Sequence, residues 1–444
     1  MLSRQIADFT VGLSYEDLPA AVVKASRTAV TDWLGSVAAG SREPPAAMLA
    51  AVVRRAGGNH QASLIGFNEK SSALNAALVN GTSCHILELD DLHRSSILHP
   101  AAPIISAAVA AAEERGASGR ELVAAVVTGY EVAIRIAEAV TPSHYYYWHT
   151  TATCGTFGAA IAAAKIYSLP ADQIINALGN AGSQAAGLWE FLQDGAMTKH
   201  LHPGKAAMNG LLAAQLAGEG YTGAGRILEG EKGFFKATAK EYEPAKATAG
   251  LGSDYRILGN SYKIYPSCRH THSGADLALK LAEKGIKPSG VEKIVVKTYS
   301  HARDLVGEFK YDTPYKAKFS LPFCVAAALV DGRLDLKSFD FSSPLDPRIV
   351  EVAQRCRVVA DPELEVLYPA RWAAVIEITL KDGQFITART DYPRGDPENP
   401  ATEEEMLDKF KKLALLTWPE DRVNYAVEHL NNLEYLDRAG ILFD

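Results

Sequence analysis

The sequence predicts a mainly α-helical protein, in which a large all-helical domain carries a smaller α+β domain as an insertion. Alanine-rich segments with helical periodicity fill the first 258 residues. Alternating, strand-like segments appear between residues 259 and 392, and helical periodicity returns afterwards. We therefore expect an all-helical domain from residues 1–258 plus 393–444 and an α+β domain from residues 259–392.

The helices of the first domain are predicted from long segments rich in Ala, Leu and Val, with Gly and Pro between them. Residues 19–40 and 119–140 are two such segments. Many of these segments are apolar nearly all round, and such helices are buried on several sides. This pattern favours a large bundle or a subunit interface.

The α+β domain is predicted from alternation of apolar and polar residues. Residues 291–300, 373–380 and 384–391 alternate, and Asp382-Gly383 between the last two is a hairpin signal. Helical segments lie before and between these strands, at residues 272–285 and 318–332.

Two local signals mark helices near the end of the chain. Thr402 and Glu405 have the spacing of a capping box, and Pro419 suits the first turn of a final helix. We expect this helical tail to return to the first domain.

Composition limits the class of protein. A chain of 444 residues with 48% apolar and 22% charged residues is typical of a folded protein larger than one ordinary core. The net charge of −7 argues against a nucleic-acid or anionic-membrane partner. The five cysteines are widely spaced, with no CxxC, as in a reduced cytoplasmic protein. We expect no signal peptide and no membrane span.

Three histidines and three carboxylates form a group within the 21 residues from Asn80 to Pro100. Its side chains are His85, Glu88, Asp90, Asp91, His93 and His99. Its head predicts a helix end, and Pro100 disfavours helical geometry at His99. The stretch is compatible with a solvated helix end or with a metal site, but it lacks HExxH or another defined ligand spacing. We therefore predict no metal.

Two further stretches place cations and imidazoles at helix starts. His149 precedes a Thr/Cys/Gly segment that opens an alanine-rich helix. Lys199, His200, His202 and Lys205 crowd a Gly/Pro-bearing turn before another helix. Cations next to unpaired backbone N–H groups favour the binding of an anion. The alternatives are a packed aromatic loop around His149 and an exposed basic loop around Lys199.

A fourth stretch opens the α+β domain. Lys263, Cys268, Arg269, His270 and His272 lie within ten residues there. An activated thiolate at Cys268 is one interpretation, but no base with an orienting partner is evident in the sequence. A cationic clamp fits the pattern better. Together the four stretches suit binding of a polycarboxylate and proton transfer next to a carboxylate.

The same stretches resemble the 2-methylcitrate dehydratase (MmgE/PrpD) family over nearly the whole chain. The motifs are NG…H…LDD…HP, GYEV, WH-TATCGTFGAA, GAMTKHLHPGKAA, K-YPSCRHTH and KFSLPFCVAAAL-DG. The resemblance implies a homodimer whose cofactor-free site lies between a helical and an α+β domain. The family also includes cis-aconitate decarboxylases and iminodisuccinate epimerases.

The resemblance assigns roles to particular residues. The family's acid before the paired aspartates falls on Glu88 or Asp90, and its HP histidine falls on His99. The remaining matches are His149, Lys199 and Lys263. The chain departs from the family at Glu88, where Asp is usual, at Leu92, where a small hydroxyl residue is usual, and at Thr150, where Pro is usual.

The expected reaction is removal of a proton, or of CO₂, from a carbon next to a carboxylate. We expect His149, His99, Lys199 and Asp90 to be catalytic. The predicted substrate-binding residues are Glu88, Asp91, Lys263, Cys268, Arg269, His270 and His202. The expected partner is a small di- or tricarboxylate.

Two other classes compete with this reading. An isoprenoid synthase needs Asp-rich magnesium motifs, and the sequence after Asp90-Asp91 lacks the third aspartate. A non-catalytic helical scaffold explains the alanine-rich helices but not the grouped histidines.

Overall fold

The computed structural model describes residues 1–309, 311–340, 342 and 344–443, which form two compact units. The first unit comprises Met1–Ser261 and the chain from Thr402 onward, and the second comprises Tyr262–Ala401. Helices far exceed strands, so the predicted mainly α class is confirmed. None of the helices formed by the described residues is long and apolar enough to cross a membrane.

The first unit is helical apart from two short strand pairs. With numbering along the whole chain, its helices are α1 (Leu2–Gly12), α2 (Ala20–Gly40), α3 (Pro44–Ala56), α4 (Ala73–Ile86), α5 (Ala101–Arg115), α6 (Gly119–Val140), α7 (Thr150–Ile166), α8 (Ala171–Gly182), α9 (Phe191–Asp194), α10 (Thr198–Gly218), α11 (Phe234–Thr238), α18 (Glu403–Ala414) and α19 (Glu420–Asn431). Its antiparallel strand pairs are β1 (Ala62–Leu64) with β2 (Glu69–Ser71) and β3 (Leu92–His93) with β4 (Asn260–Ser261).

The second unit is built on a four-stranded mixed sheet. Its strands are β5 (Val291–Thr298), β6 (Cys356–Ala360), β7 (Ala374–Leu380) and β8 (Phe385–Thr390), in the order β6-β5-β7-β8. Its helices are α12 (His272–Glu283), α13 (Ser300–Val306), α14 (Pro314–Lys318), α15 (Leu321–Asp331), α16 (Pro347–Gln354) and α17 (Pro362–Glu365). β5 runs parallel to β6 and antiparallel to β7.

Local sequence signals account for several of these boundaries. The predicted β7–β8 hairpin turns at Gly383, whose φ of 86° is favoured by glycine. The predicted capping box is present, since Thr402 Oγ1 accepts from the Glu405 N–H at 3.2 Å and Glu405 accepts from the Thr402 N–H at 2.7 Å. Pro419 lies one residue before α19, at its N-cap.

The core of the first unit consists of α5, α6 and α7 with the helices that pack on them. Most residues of these three helices are buried, and alanine is the commonest of them. Small side chains let helix axes approach closely. Helix α6, predicted from residues 119–140, is therefore buried along nearly its whole length.

Helices α4 and α10 approach each other closely. A Cβ added at Gly81 would lie 2.8 Å from the Cα of Gly204, and one added at Gly204 would lie 2.2 Å from the carbonyl oxygen of Leu78. Backbone-to-backbone packing of this kind requires glycine. It fixes the end of α4 against the beginning of α10.

The start of α10 differs from the sequence expectation. Lys199, His200, His202 and Lys205 were expected in a turn before a helix, but α10 begins at Thr198 and contains Pro203. Proline is disfavoured in a helix interior because it removes a backbone donor. The tight packing of Gly204 on α4 explains why the backbone stays helical at Pro203.

We expect Gly204→Ala to destabilise the protein by about 3 kcal/mol, because the added methyl group would meet the backbone of α4. Urea-induced unfolding measures the change. Gly12→Ala is the matched control, since Gly12 is helical and a Cβ there meets no atom within 4 Å among the described residues. Equal stability of Gly204→Ala and wild type would contradict the proposed packing constraint.

Candidate active site

Four histidine side chains meet inside the first unit. The ring centroid of His85 lies 4.9 Å from that of His99 and 5.6 Å from that of His149. The centroids of His149 and His202 are 5.4 Å apart, and their Nδ1 atoms are 3.2 Å apart. His99 is half-buried and the other three are buried. The structure thus brings the predicted residues His99, His149 and His202 together.

Helix ends place these rings. His85 lies in the last turn of α4, and His149 is the N-cap residue of α7. His99 precedes Pro100, just before α5, and His202 lies in the second turn of α10. The site is therefore assembled from four segments that span more than one hundred residues of the chain.

The carboxylate of Asp90 serves two of the imidazoles. Its Oδ2 lies 2.6 Å from Nδ1 of His85 and 3.6 Å from Nδ1 of His99. Nδ1 of His99 also donates to the backbone carbonyl oxygen of Asp91 at 2.6 Å. Because a carbonyl only accepts, His99 carries a proton on Nδ1, and Nε2 is the nitrogen that can exchange one. The predicted catalytic residue Asp90 thus contacts two members of the cluster.

The neighbouring carboxylate, Asp91, is used differently. Its Oδ1 accepts from the backbone N–H of Ala101 at 3.0 Å, and its Oδ2 accepts from the Tyr130 hydroxyl at 2.7 Å and from Nδ2 of Asn260 at 2.8 Å. Burial raises the pKa of Asp91 to about 7, against the effect of these donors. Both oxygens are engaged inside the protein. This geometry favours a structural role for Asp91 over the predicted contact with substrate.

The predicted residues Glu88 and Lys199 form a buried ion pair. Their side chains are only 2% and 4% exposed. Glu88 adopts a φ of 58°, in the left-handed region, which is strained for a residue with a side chain. The strained backbone directs the Glu88 carboxylate to Lys199. Such strain is typical of functional sites.

The environment keeps the imidazoles of His149 and His202 neutral. Burial lowers the pKa of His149 well below its ordinary value, and the neighbouring His85, His202 and Lys199 lower it further. Burial also lowers the pKa of His202 to about 4. A neutral imidazole is able to accept a proton.

An aromatic wall closes one side of the cluster, and the sequence reasoning missed it. The ring of Trp189 lies 4.9 Å from that of His149, and the ring of Phe191 lies 5.5 Å from that of His202. These aromatics come from the segment just before α10. The only signal for them was the apolar LWEFL run ahead of the predicted basic stretch.

His85 was noted in the sequence but was not among the predicted site residues. His85, Asp90 and His99 are also a group of metal-ligand types whose donor atoms lie within 4.8 Å of one another. The Nδ1 atoms of both histidines already point at oxygen atoms of the protein. The prediction that no metal takes part stays a prediction.

The predicted residues of the second unit are also buried. Nη2 of Arg269 lies 2.5 Å from Oδ1 of Asp396, and its Nη1 donates to the carbonyl oxygen of Arg394 at 3.0 Å. Lys263 is 1% exposed. Arg269 therefore holds the 394–396 loop within this unit, and sequence reasoning missed its partner Asp396.

His270 contacts aromatic side chains of the second unit, and Cys268 is hydrogen-bonded to the backbone of the same unit. The His270 ring stacks on that of Trp372, with centroids 4.2 Å apart, and its Nδ1 lies 2.5 Å from the Tyr299 hydroxyl. The backbone N–H of Cys268 donates to the carbonyl oxygen of Lys318 at 2.9 Å. The predicted substrate contacts of His270 and Cys268 stay predictions.

Comparison with known proteins supports the resemblance read from the motifs. The sequence model of the MmgE/PrpD N-terminal domain matches residues 4–247, and that of the MmgE/PrpD C-terminal domain matches residues 265–433. A cis-aconitate decarboxylase of Aspergillus terreus is 27% identical, over 98% of this chain and 94% of that protein. A human cis-aconitate decarboxylase is 28% identical, over 83% of this chain and 78% of that protein.

The depressed pKa of His202 makes a prediction about stability and pH. An unfolded histidine takes up a proton near pH 6.5, whereas folded His202 does so near pH 4. Its contribution to stability is therefore full above pH 6.5 and is lost as the pH falls to 4. We expect the free energy of unfolding of His202→Gln to fall between pH 7 and 4 by about 3 kcal/mol less than that of wild type. Denaturant titrations at several pH values measure this, and His60→Gln, at an exposed histidine, should follow wild type.

The Glu88–Lys199 pair makes a second prediction. Glu88→Gln or Lys199→Met leaves one charge buried without its partner, and each should cost about 3–5 kcal/mol. The double variant should cost much less than the sum, because neither charge then remains. Urea unfolding of all four proteins measures the coupling. Additive effects would show that the pair does not form.

Proposed function

This chain belongs to the MmgE/PrpD family, and from this premise we propose that it is a lyase of the 2-methylcitrate dehydratase type. Its proposed substrate is a small di- or tricarboxylate. The reaction removes a proton from the carbon alpha to a carboxylate and needs no metal or organic cofactor. We also propose a cytoplasmic homodimer.

The observation that carries this proposal is the cluster of buried His85, His149 and His202 with half-buried His99, beside the Glu88–Lys199 pair. Burying so many titratable groups costs stability, and strongly perturbed groups gather at functional sites. The cluster offers neutral bases, one cation and two carboxylates in a small volume. These are the groups that carbanion chemistry next to a carboxylate requires.

The proposed reaction begins at His149. Its neutral imidazole takes the proton from the alpha carbon, and the electron pair of the broken C–H bond moves into the adjacent carboxylate. Lys199 stabilises the negative charge that develops there. The low pKa of His149 keeps it in the basic form at neutral pH.

The second half of the reaction is assigned to His99. A His99 imidazolium donates the proton on Nε2 to the departing hydroxyl, the C–O bond breaks, and water leaves as the double bond forms. The Asp90 carboxylate, 3.6 Å from Nδ1, balances the charge of this imidazolium. Asp90 is thus an orienting and charge-balancing residue.

A second candidate reaction is decarboxylation. The curated relatives from Aspergillus terreus and human are named cis-aconitate decarboxylases. In that reaction the C–C bond to a carboxylate breaks, CO₂ leaves, and an imidazolium protonates the carbanion. An iminodisuccinate-type epimerase would return a proton to the opposite face. The three reactions have different readouts. Dehydration releases water and forms an alkene, decarboxylation releases CO₂, and epimerisation exchanges the alpha proton for deuterium in heavy water.

The non-enzymatic alternative is a helical scaffold. A scaffold has no use for a strained Glu88 or for neutral buried imidazoles. Thermal-shift measurements with di- and tricarboxylates separate the two, because an enzyme of this type is stabilised by its ligand. The absence of a shift with every acid would favour the scaffold.

We expect His149→Gln to lower kcat by about 10²–10⁴-fold, because the proposed base is removed. Purified wild type and variant are incubated with 2-methylcitrate, cis-aconitate and iminodisuccinate, and water loss, CO₂ release and solvent exchange are measured. His60→Gln, at an exposed histidine, is the control and should keep full activity. If wild type turns over none of these acids, the proposed substrate class is wrong; if His149→Gln is fully active, His149 is not the base.

A further inference from the structure

His85 has an arrangement that packing alone does not explain. Its side chain is completely buried at the end of α4, and its Nδ1 lies 2.6 Å from Oδ2 of Asp90. Its Nε2 is buried and has no hydrogen-bond partner among the described residues. A buried imidazole with an unsatisfied nitrogen is less stable than an apolar side chain of similar size. The contact with Asp90 is therefore the reason to have histidine at this position.

The oxygen that His85 uses is the one nearest His99. Oδ2 of Asp90 is 3.6 Å from Nδ1 of His99, and the two rings approach edge-on at 4.9 Å. The carboxylate accepts, so Nδ1 of His85 donates to it. That hydrogen bond draws negative charge away from the side of Asp90 that faces His99.

We propose that His85 is a positioning residue that shares the Asp90 carboxylate with His99 and so sets how readily His99 takes up and releases its proton. This inference rests on the proposed function, in which His99 transfers a proton. His85 itself need not touch the substrate. Its role is to fix one carboxylate oxygen and to limit how strongly that oxygen stabilises a His99 imidazolium.

Other charged groups in the region must be held constant in a test. They are Glu88, Asp90 and Asp91 in the loop before α5, His149 at the start of α7, Lys199 and His202 in α10, Asp32 in α2 and Lys409 in α18. Lys409 donates to the carbonyl oxygen of Leu89. None of these is changed when His85 alone is substituted. A change at His99 is then assigned to the loss of the His85 side chain.

Two substitutions separate the hydrogen bond from the bulk of the ring. His85→Asn can place its side-chain amide N–H near the position of Nδ1 and so keep the donor to Asp90. His85→Leu removes the donor. His85→Gln carries its amide farther out, near the position of Nε2, and also loses the contact with Asp90.

The test is an NMR titration of ¹³C/¹⁵N-histidine-labelled protein without substrate, with the His99 signal assigned by its loss in His99→Gln. In His85→Leu the pKa of His99 should rise by about one unit, because the Asp90 carboxylate then no longer accepts a hydrogen bond from His85 and keeps more negative charge toward His99. In His85→Asn it should stay at the wild-type value. His144→Asn is the control at a buried histidine whose two ring nitrogens are bonded to Thr238 and Thr153, and it should leave His99 unchanged.

The outcomes are distinct. An unchanged or lowered pKa of His99 in His85→Leu, or an equal shift in His85→Asn and His85→Leu, would overturn the inference. If His85→Leu does not fold, His85→Gln takes its place with the same expected rise. Because the titration needs no turnover, its result is independent of the activity assays. If wild type is active, the pH profile of kcat/KM should move with the His99 titration in His85→Leu while His85→Asn keeps the wild-type profile.

Discussion

The hydrogen bonds made by the buried carboxylate of Asp91 are the interactions on which the rest of the site depends. This carboxylate accepts from the first backbone N–H of α5, from Tyr130 in α6 and from Asn260 in β4. The backbone carbonyl oxygen of Asp91 accepts from His99. One buried residue therefore joins the start of a core helix, a second core helix and the strand pair β3–β4. The position of His99 follows from these bonds, because its ring is tied to the backbone of the same residue.

A second buried network holds Asn260, one of the partners of Asp91, in place. Glu131 in α6 accepts from the backbone N–H groups of Arg256 and Ile257, both at 3.0 Å, and pairs with Arg135 one turn later. Nε of Arg135 donates to the carbonyl oxygen of Ala249 at 2.9 Å. These bonds anchor the segment that leads into Asn260. Helix α6 thus supports the site without contributing a residue to the imidazole cluster.

Much of the helical fold follows from local pattern, because apolar periodicity, capping residues and turn signals act over short distances. The capping box at Thr402 and the hairpin at Asp382-Gly383 formed as predicted for this reason. The start of α10 did not follow its local signal. Pro203 reads as a helix breaker, but the contact of Gly204 with α4 is a long-range constraint that no local pattern contains. The aromatic wall of Trp189 and Phe191 was not predicted either, because its contacts with His149 and His202 are also set by the tertiary structure.

The sequence by itself determined the helical class, the family and the chemical kinds of residue available to the site, since these depend on composition, periodicity and motif order. Only the tertiary structure decided what adjacent residues do. Asp90 and Asp91 look equivalent in the sequence, yet one faces His85 and His99 while the other is enclosed by Ala101, Tyr130 and Asn260. The physical reason is that the role of a buried carboxylate depends on the donors around it, and distant parts of the chain bring those donors together.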